Sequence, residues 1–186
     1  ATYVLPRLPG ALGLYLGLTG ERMAGADAVH AGLATHFVPR ERLPALRAAL
    51  VADGAAAVAP LAAPLPAFSL AAQRPAIDRC FSAGSVPDIL GRLAIEDSDW
   101  ARATLATLGR MSPSALSWSF AAIRRGAGLE LAAALAAELR LTRAVTRQPD
   151  FAEGVRAMVV DKDRTPRWAP PTLAQVDAAA IAALLD

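Results

Sequence analysis

One stretch of this sequence, Ala-Thr-His-Phe-Val at residues 34–38, has the β-branched and aromatic side chains typical of a β-strand, and no other stretch has them as clearly. A single strand cannot form a sheet, because its backbone N–H and C=O groups need a neighbouring strand as partner. The segment therefore either pairs with strands outside this sequence or is an extended connector. The remainder must fold as helices and loops, so we expect a mainly α structure.

Apolar residues at helical spacing and recognisable helix ends recur along the chain. Gly20 and Gly32 can end helices in a left-handed conformation, Ser85 begins a Ser-x-x-Asp capping box, and Ser112 precedes a proline at a helix start. Asp150 begins a second capping box with Glu at the fourth position. Counted with their capping residues, the predicted helices cover residues 9–19, 26–31, 43–50, 85–93, 97–108, 112–125, 129–147, 150–160 and 172–185.

The longest predicted helix, residues 129–147, is amphipathic. It places Leu131, Leu135 and Leu139 in one stripe, with acidic residues early and arginines late, as the helix dipole favours.

Composition divides the chain into two parts. Residues 54–67 are rich in alanine and contain Pro60, Pro64 and Pro66, which a helix interior does not tolerate. We interpret this segment as an extended linker or surface loop between residues 1–53 and a helical region at 68–186.

Composition also excludes several classes of protein. The hydrophobic fraction of 54% supports a folded core, yet charged residues or prolines interrupt every apolar run before the roughly 20 residues of a membrane-spanning helix. The net charge of +2 is poor support for binding nucleic acid. Cys80 is the one cysteine, which excludes an intramolecular disulfide and favours a cytoplasmic location.

The residues alone reveal no catalytic constellation. His30 and His36 are the only histidines, and neither belongs to a metal-binding or nucleophile-elbow pattern, so we expect no metal. The run Asp-Lys-Asp-Arg at 161–164 is either a solvated charge cluster or a contact for phosphate, and the pattern does not decide between them.

Several segments resemble the enoyl-CoA hydratase/isomerase (crotonase) superfamily. Ala-Thr-Tyr-Val-Leu-Pro-Arg-Leu-Pro-Gly at 1–10, Leu-Thr-Gly-Glu-Arg at 18–22 and Ala-Gly-Leu at 31–33 are similar to its middle part. A narrower resemblance, to the 3-hydroxyisobutyryl-CoA hydrolase branch, is carried by Gly-Leu-Ala-Thr-His-Phe-Val at 32–38, Cys-Phe-Ser at 80–82, Met-Ser-Pro-Ser-Ala-Leu at 111–116, and Asp-Phe-Ala-Glu-Gly-Val-Arg-Ala at 150–157 with the following Asp-Lys-Asp-Arg.

This resemblance implies that the chain is the C-terminal helical part of an α/β crotonase-like fold, with residues 1–53 as the end of the core. A missing N-terminal part would supply the sheets that pair with residues 34–38, the oxyanion hole and the catalytic carboxylates. The function implied is hydrolysis of an acyl-CoA thioester. Enoyl-CoA hydration or isomerisation is one alternative, and a non-catalytic helical association module is another.

The resemblance also implies roles for particular residues. None of those present is catalytic, and we expect this chain alone to be inactive. Tyr3, Leu18 and Thr19 would line the substrate pocket, and Lys162 and Arg164 would contact the phosphates or adenine of coenzyme A, which enters as part of the substrate and not as a separate cofactor. The expected partners are acyl-CoA, the missing part of the same protein and a second copy in a homo-oligomer; we expect no nucleic acid and no membrane.

Overall fold

The computed structural model describes residues 1–185, and those residues form helices but no β-strand. Short 3-10 turns occur at Leu5–Arg7, Arg40–Arg42, Gly54–Ala57 and Leu173–Gln175, and one π-helical turn covers Arg156–Val160. The α-helices are α1 (Leu12–Thr19), α2 (Gly25–His30), α3 (Leu43–Asp53), α4 (Val58–Leu61), α5 (Arg74–Phe81), α6 (Val86–Glu96), α7 (Asp99–Leu108), α8 (Pro113–Gly126), α9 (Leu131–Val145), α10 (Pro149–Val155) and α11 (Ala178–Leu185).

The observed helix ends confirm most of the predicted capping residues and helix-ending glycines. Ser85 Oγ accepts from the Asp88 N–H at 3.2 Å to begin α6, and Ser112 Oγ accepts from the Ala115 N–H at 3.0 Å to begin α8. Gly20 ends α1 at φ +68° in the left-handed conformation. These local hydrogen bonds satisfy terminal N–H groups that the helix itself leaves unpaired.

Two expectations about residues 34–67 need correction. Residues 34–38 pair with no strand among the described residues. The Ala34 N–H donates to the Ala28 carbonyl at 3.1 Å and the Phe37 carbonyl accepts from the Ala63 N–H at 3.0 Å, so the segment is a connector. Residues 54–61, predicted as part of an extended linker, form a 3-10 turn followed by α4. Pro60 fits there because it lies in the first turn of α4, where an N–H would have no acceptor within the helix.

The described chain contains two compact units. The larger comprises residues 1–21 with 75–185, and the smaller comprises Arg22–Arg74. Both predicted boundaries, at residues 53 and 67, lie inside the smaller unit.

Aromatic packing marks the core of the larger unit. The Tyr15 ring on α1 meets Phe81 edge-to-face with centroids 5.3 Å apart and lies 5.8 Å from the Trp100 ring. Such pairs add about 0.5–1.5 kcal/mol beyond the area they bury. Cys80 is fully buried beside Phe81, and burial raises the pKa of its thiol.

The N-terminal segment packs backbone against backbone. A Cβ atom at Gly126 would overlap the Thr2 carbonyl oxygen, and a Cβ at Gly13 would overlap the carbonyl of Leu5. Arg7 secures the same contact, because its guanidinium donates to the Gly126 carbonyl at 3.0 Å and stacks 3.8 Å from the centre of the Tyr3 ring. Only glycine allows this approach at the end of α8.

A buried carboxylate organises the smaller unit. Asp27 on α2 accepts from the Ser69 N–H at 2.9 Å and from the Ser69 hydroxyl at 2.6 Å. These hydrogen bonds from Ser69 lower the pKa of Asp27. His30 stacks on Phe68 and its Nε2 lies 2.8 Å from the Pro66 carbonyl oxygen, so two residues of α2 hold the segment 66–69.

One described stretch, Arg40–Leu61, meets the length and composition expected of a membrane-crossing helix, with 22 residues and a mean hydropathy of 1.3 over an 18-residue window. It is not a continuous α-helix, since Gly54 at φ +64° begins a 3-10 turn between α3 and α4. Arg47 and Asp53 also carry charges within it. Length and composition are the whole of this indication, and one such stretch is weak support for a membrane segment.

Replacing Gly126 by alanine should lower the free energy of unfolding by about 2 kcal/mol or more, because the new methyl group overlaps the Thr2 carbonyl. Gly91 is the matched control: it lies inside α6 with nothing within 4 Å of its Cβ position, so Gly91→Ala should stabilise by up to about 1 kcal/mol. Urea denaturation of both variants checks this, and equal effects at the two sites would contradict the packing described.

Replacing Asp27 by asparagine should cost about 1–2 kcal/mol at neutral pH, because charge-assisted hydrogen bonds become neutral ones. The folded pKa is lowered below the reference value of 3.8, so the stabilisation is complete above about pH 5 and is lost as the pH falls toward the folded pKa. Denaturation midpoints at pH 7 and in acid should therefore converge for the parent and the variant. Asp53→Asn, at the exposed end of α3, should change neither midpoint appreciably.

Candidate functional site

An arginine surrounded by carboxylates organises the segment that follows α10. The Arg156 guanidinium donates to both oxygens of Glu153 at 2.8 and 2.9 Å, to Asp161 at 2.6 Å and to Asp163 at 2.7 Å. We call Glu153, Arg156, Asp161 and Asp163 the Arg156 clasp. Hydrogen bonding to Arg156 lowers the pKa of Glu153 to about 2 and also lowers that of Asp163, so both are ionised at neutral pH.

The clasp folds the loop 161–168 back along α10 and the π-helical turn. The Arg164 N–H donates to the Ala157 carbonyl at 3.0 Å, and the Arg167 N–H donates to Glu153 at 2.7 Å. The Trp168 indole N–H donates to the Arg110 carbonyl at 2.9 Å, which fixes the end of the loop beside the start of α8. Backbone and side-chain bonds together therefore define the course of the loop.

Asp150 has a different role from the one predicted. The expected capping box would place it at the N-cap, but α10 begins at Pro149, and Asp150 is buried within the first turn. Its carboxylate accepts from the Ser112 hydroxyl and from the Ala169 N–H at 2.8 Å. It thereby joins the starts of α8 and α10 to the end of the loop, a long-range contact that a local capping rule does not reveal.

Lys162 and Arg164 protrude from this loop. Both are exposed and both have left-handed backbones, at φ +57° and +56°, which costs a non-glycine residue about 1 kcal/mol or more. Within residues 1–185, neither side chain makes a hydrogen bond or an ion pair with the protein. Both residues are therefore exposed cations on one loop, and their contact with a ligand stays a prediction.

An apolar groove of about 400 Å³ lies between α8 and the segment α10–π turn. Phe151, Met158 and Val159 line it and are 47%, 58% and 63% exposed. Its wall also includes the Trp168 ring, which passes 3.5 Å from the Cβ position of Gly154. Sequence reasoning missed this groove, although the apolar run Met-Val-Val before the charged loop was visible.

The other predicted substrate-binding residues lie elsewhere in the larger unit. Tyr3 lies beneath the Arg7 guanidinium, and Leu18 is buried in the core at 4% exposure. The Thr19 hydroxyl donates to the Tyr15 carbonyl at 2.7 Å and accepts from the Glu21 N–H at 3.2 Å. No hydrogen bond or ion pair within residues 1–185 links Tyr3, Leu18 or Thr19 to the loop that carries Lys162 and Arg164, and their role as a pocket wall stays a prediction.

The described residues hold no cluster of three or more His, Cys, Asp or Glu side chains arranged to bind a metal ion. His36 Nδ1 lies 2.9 Å from the Thr35 hydroxyl oxygen, and no acid or thiol is bonded to its ring in the described chain.

Comparison with known proteins gives a consistent assignment. The family model described as enoyl-CoA hydratase/isomerase matches residues 1–185. The chain is 41% identical over 186 residues to the mitochondrial 3-hydroxyisobutyryl-CoA hydrolase of Danio rerio and 37% identical to that of Homo sapiens, covering 94% of this chain and 49% and 48% of theirs. The chain thus spans about half the length of the curated relatives it matches.

Two solved structures share this architecture. A carnitinyl-CoA dehydratase from Mycobacterium thermoresistibile is 39% identical, with a TM-score of 0.93 over 100% of this chain and 54% of its own. An enoyl-CoA hydratase from Rhodobacter sphaeroides 2.4.1 is also 39% identical, with a TM-score of 0.87 over 99% of this chain and 54% of its own. The helical structure therefore corresponds to part of a larger fold in each relative.

Replacing Asp150 by asparagine should loosen the end of the loop, because the Ser112 and Ala169 bonds lose their charged acceptor. We expect a loss of about 1–2 kcal/mol in stability and faster tryptic cleavage after Lys162 and Arg164. Asp99→Asn removes an exposed carboxylate on α7 and should leave cleavage in the loop unchanged. Equal cleavage rates in parent and Asp150→Asn would show that the carboxylate does not hold the loop.

Proposed function

The chain belongs to the enoyl-CoA hydratase/isomerase family, and from that membership we propose that it is the C-terminal part of an acyl-CoA thioester hydrolase of the 3-hydroxyisobutyryl-CoA hydrolase type. The observation that carries the proposal is the likeness to curated hydrolases, which covers 94% of this chain. In the full protein, a carboxylate would activate water to attack the thioester carbonyl, or would itself attack it, release the coenzyme A thiol and form an acyl anhydride that water then hydrolyses. Both routes give the free acid and coenzyme A.

Three titratable side chains of the larger unit, Glu153, Asp150 and Cys80, are poorly suited to catalysing that hydrolysis. Hydrogen bonding to Arg156 lowers the pKa of Glu153 to about 2, so its carboxylate is a weak base for activating water and a weak nucleophile. Asp150 is buried and already accepts two hydrogen bonds. Burial raises the pKa of the Cys80 thiol, which makes it a poor nucleophile. We therefore place the catalytic carboxylates and the oxyanion hole in a part of the protein outside residues 1–185.

The described residues would bind and position the substrate. Lys162 and Arg164 would contact the phosphates of coenzyme A, for which two exposed cations without protein counterions are suited. Tyr3, Leu18 and Thr19 would contribute to the wall of the acyl pocket. We further propose association into a homo-oligomer and a cytoplasmic location; the animal relatives named above carry the word mitochondrial in their names.

Enoyl-CoA hydration or isomerisation is the second candidate. It is favoured by the likeness to two solved structures at 39% identity, a carnitinyl-CoA dehydratase and an enoyl-CoA hydratase. Both candidates use a thioester carbonyl and an oxyanion hole, so the residues described here would serve either reaction. A non-catalytic association module is the third, and its support is that no acid–base pair is present in residues 1–185.

The test supplies 3-hydroxyisobutyryl-CoA to the whole natural polypeptide and follows the free thiol with a chromogenic reagent. Release of coenzyme A supports the hydrolase. Loss of the conjugated double bond of an enoyl-CoA, without thiol release, supports the hydratase. If neither reaction exceeds the uncatalysed rate, the enzyme proposals are wrong and the association module is favoured.

The 186-residue chain by itself should give no thiol release above background at any substrate concentration, because the groups that would activate water lie elsewhere. Stopped assays with the isolated chain beside the whole polypeptide check this. Turnover by the isolated chain would show that residues 1–185 contain a catalytic group we have not identified.

A further inference from the structure

Every N–H group of the Arg156 guanidinium donates a hydrogen bond to a group in the clasp or its loop. Nε and Nη2 bond Glu153, Nη1 bonds Asp161 and Asp163, and Nη2 reaches the Thr165 carbonyl at 3.3 Å. Arg156 is itself only one-third exposed. It is therefore not available to a ligand, and any effect on ligand binding must act through the loop.

The sequence of the loop alternates charges, so its carboxylates have two competing partners. Asp161 and Asp163 flank Lys162, and Asp163 precedes Arg164, which places cation and carboxylate side by side along the chain. In the structure both carboxylates turn to Arg156 at 2.6 and 2.7 Å, and neither pairs with its neighbours in sequence. Lys162 and Arg164 therefore form no ion pair with these aspartates.

The backbone conformation of Lys162 and Arg164 shows that other contacts hold the loop in this arrangement. Lys162 and Arg164 both adopt the left-handed conformation that side chains with a Cβ avoid, and the segment would relax if nothing held it. What holds it is the clasp together with the bond from the Arg164 N–H to Ala157 and the bond from the Thr165 N–H to Asp163 at 2.9 Å.

We propose that Arg156 is a positioning residue that withholds the carboxylates of Asp161 and Asp163 from Lys162 and Arg164, and so keeps two cations available for the phosphate groups of acyl-CoA. The inference rests on the proposed function. Without Arg156, the two aspartates swing to the neighbouring cations, and the loop presents internal ion pairs where it now presents free positive charge.

The experiment compares two thioesters of the same acyl group on the whole polypeptide: one of coenzyme A, and one of pantetheine, which lacks the nucleotide phosphates. Arg156→Gln should raise KM for the coenzyme A thioester about tenfold, as expected for about one lost charge-assisted contact, and leave kcat and the pantetheine thioester unchanged. Arg102→Gln is the matched control, because Arg102 also bridges two exposed aspartates, Asp97 and Asp99, on the surface of α7.

A rescue separates this role from simple loop stability. In a background of Asp161→Asn with Asp163→Asn, neither aspartate that neighbours the cations in sequence can neutralise them, so Arg156→Gln should change KM less than twofold. If it still raises KM tenfold there, the withholding mechanism is wrong. Arg156→Lys keeps the charge but loses the planar fork of donors, so its KM for the coenzyme A thioester should lie between that of the parent and that of Arg156→Gln. If thermal unfolding shows that Arg156→Gln is not folded, Arg156→Lys is used in its place.

The remaining outcomes distinguish the inference from the proposal beneath it. If Lys162→Gln with Arg164→Gln raises KM for the coenzyme A thioester but Arg156→Gln does not, the positioning role is overturned and the phosphate contact stands. If Arg156→Gln raises KM equally for both thioesters, the inference is also overturned. If the polypeptide turns over no acyl-CoA, the proposed function fails. Calorimetric binding of adenosine 3′,5′-bisphosphate must then weaken in Arg156→Gln for the inference to survive.

Discussion

The buried Asp150 carboxylate is the interaction on which the C-terminal part of this molecule depends. One of its oxygens meets the hydroxyl that caps α8, and the other meets the backbone at Ala169 where the loop 161–168 ends. A buried carboxylate without partners would be strongly unfavourable, so each bond both satisfies the charge and fixes a segment. The groove between α8 and α10 exists because these segments are held at their ends.

Ion pairing then determines which charged side chains of the loop 161–168 are left without a partner within residues 1–185. A run of alternating acidic and basic residues would ordinarily neutralise itself in solvent, with little effect on stability. Here the partly buried Arg156 binds three carboxylates, two of them from the run, and the two cations of the run, Lys162 and Arg164, are left exposed. Exposed cations of this kind are suited to phosphate groups, which is why the proposed contact with coenzyme A is assigned to this loop.

Backbone packing makes a comparable contribution at the other end of the larger unit. The carbonyls of Thr2 and Leu5 lie against Gly126 and Gly13, and Arg7 ties the same segment to the end of α8. These contacts are specific because no side chain fits between the two backbones.

The sequence by itself determined the helical class, most helix ends and the family resemblance, because caps, prolines and glycines act locally through hydrogen bonds and backbone sterics. It could also identify Lys162 and Arg164 as a pair. Only the tertiary structure decided that residues 34–38 are a connector, that the stripe Leu131, Leu135 and Leu139 is 50–56% exposed, and that Asp150 bridges two helices and a loop. Those outcomes depend on which distant groups come within bonding distance, and residue spacing along one segment carries no information about partners far away in the chain.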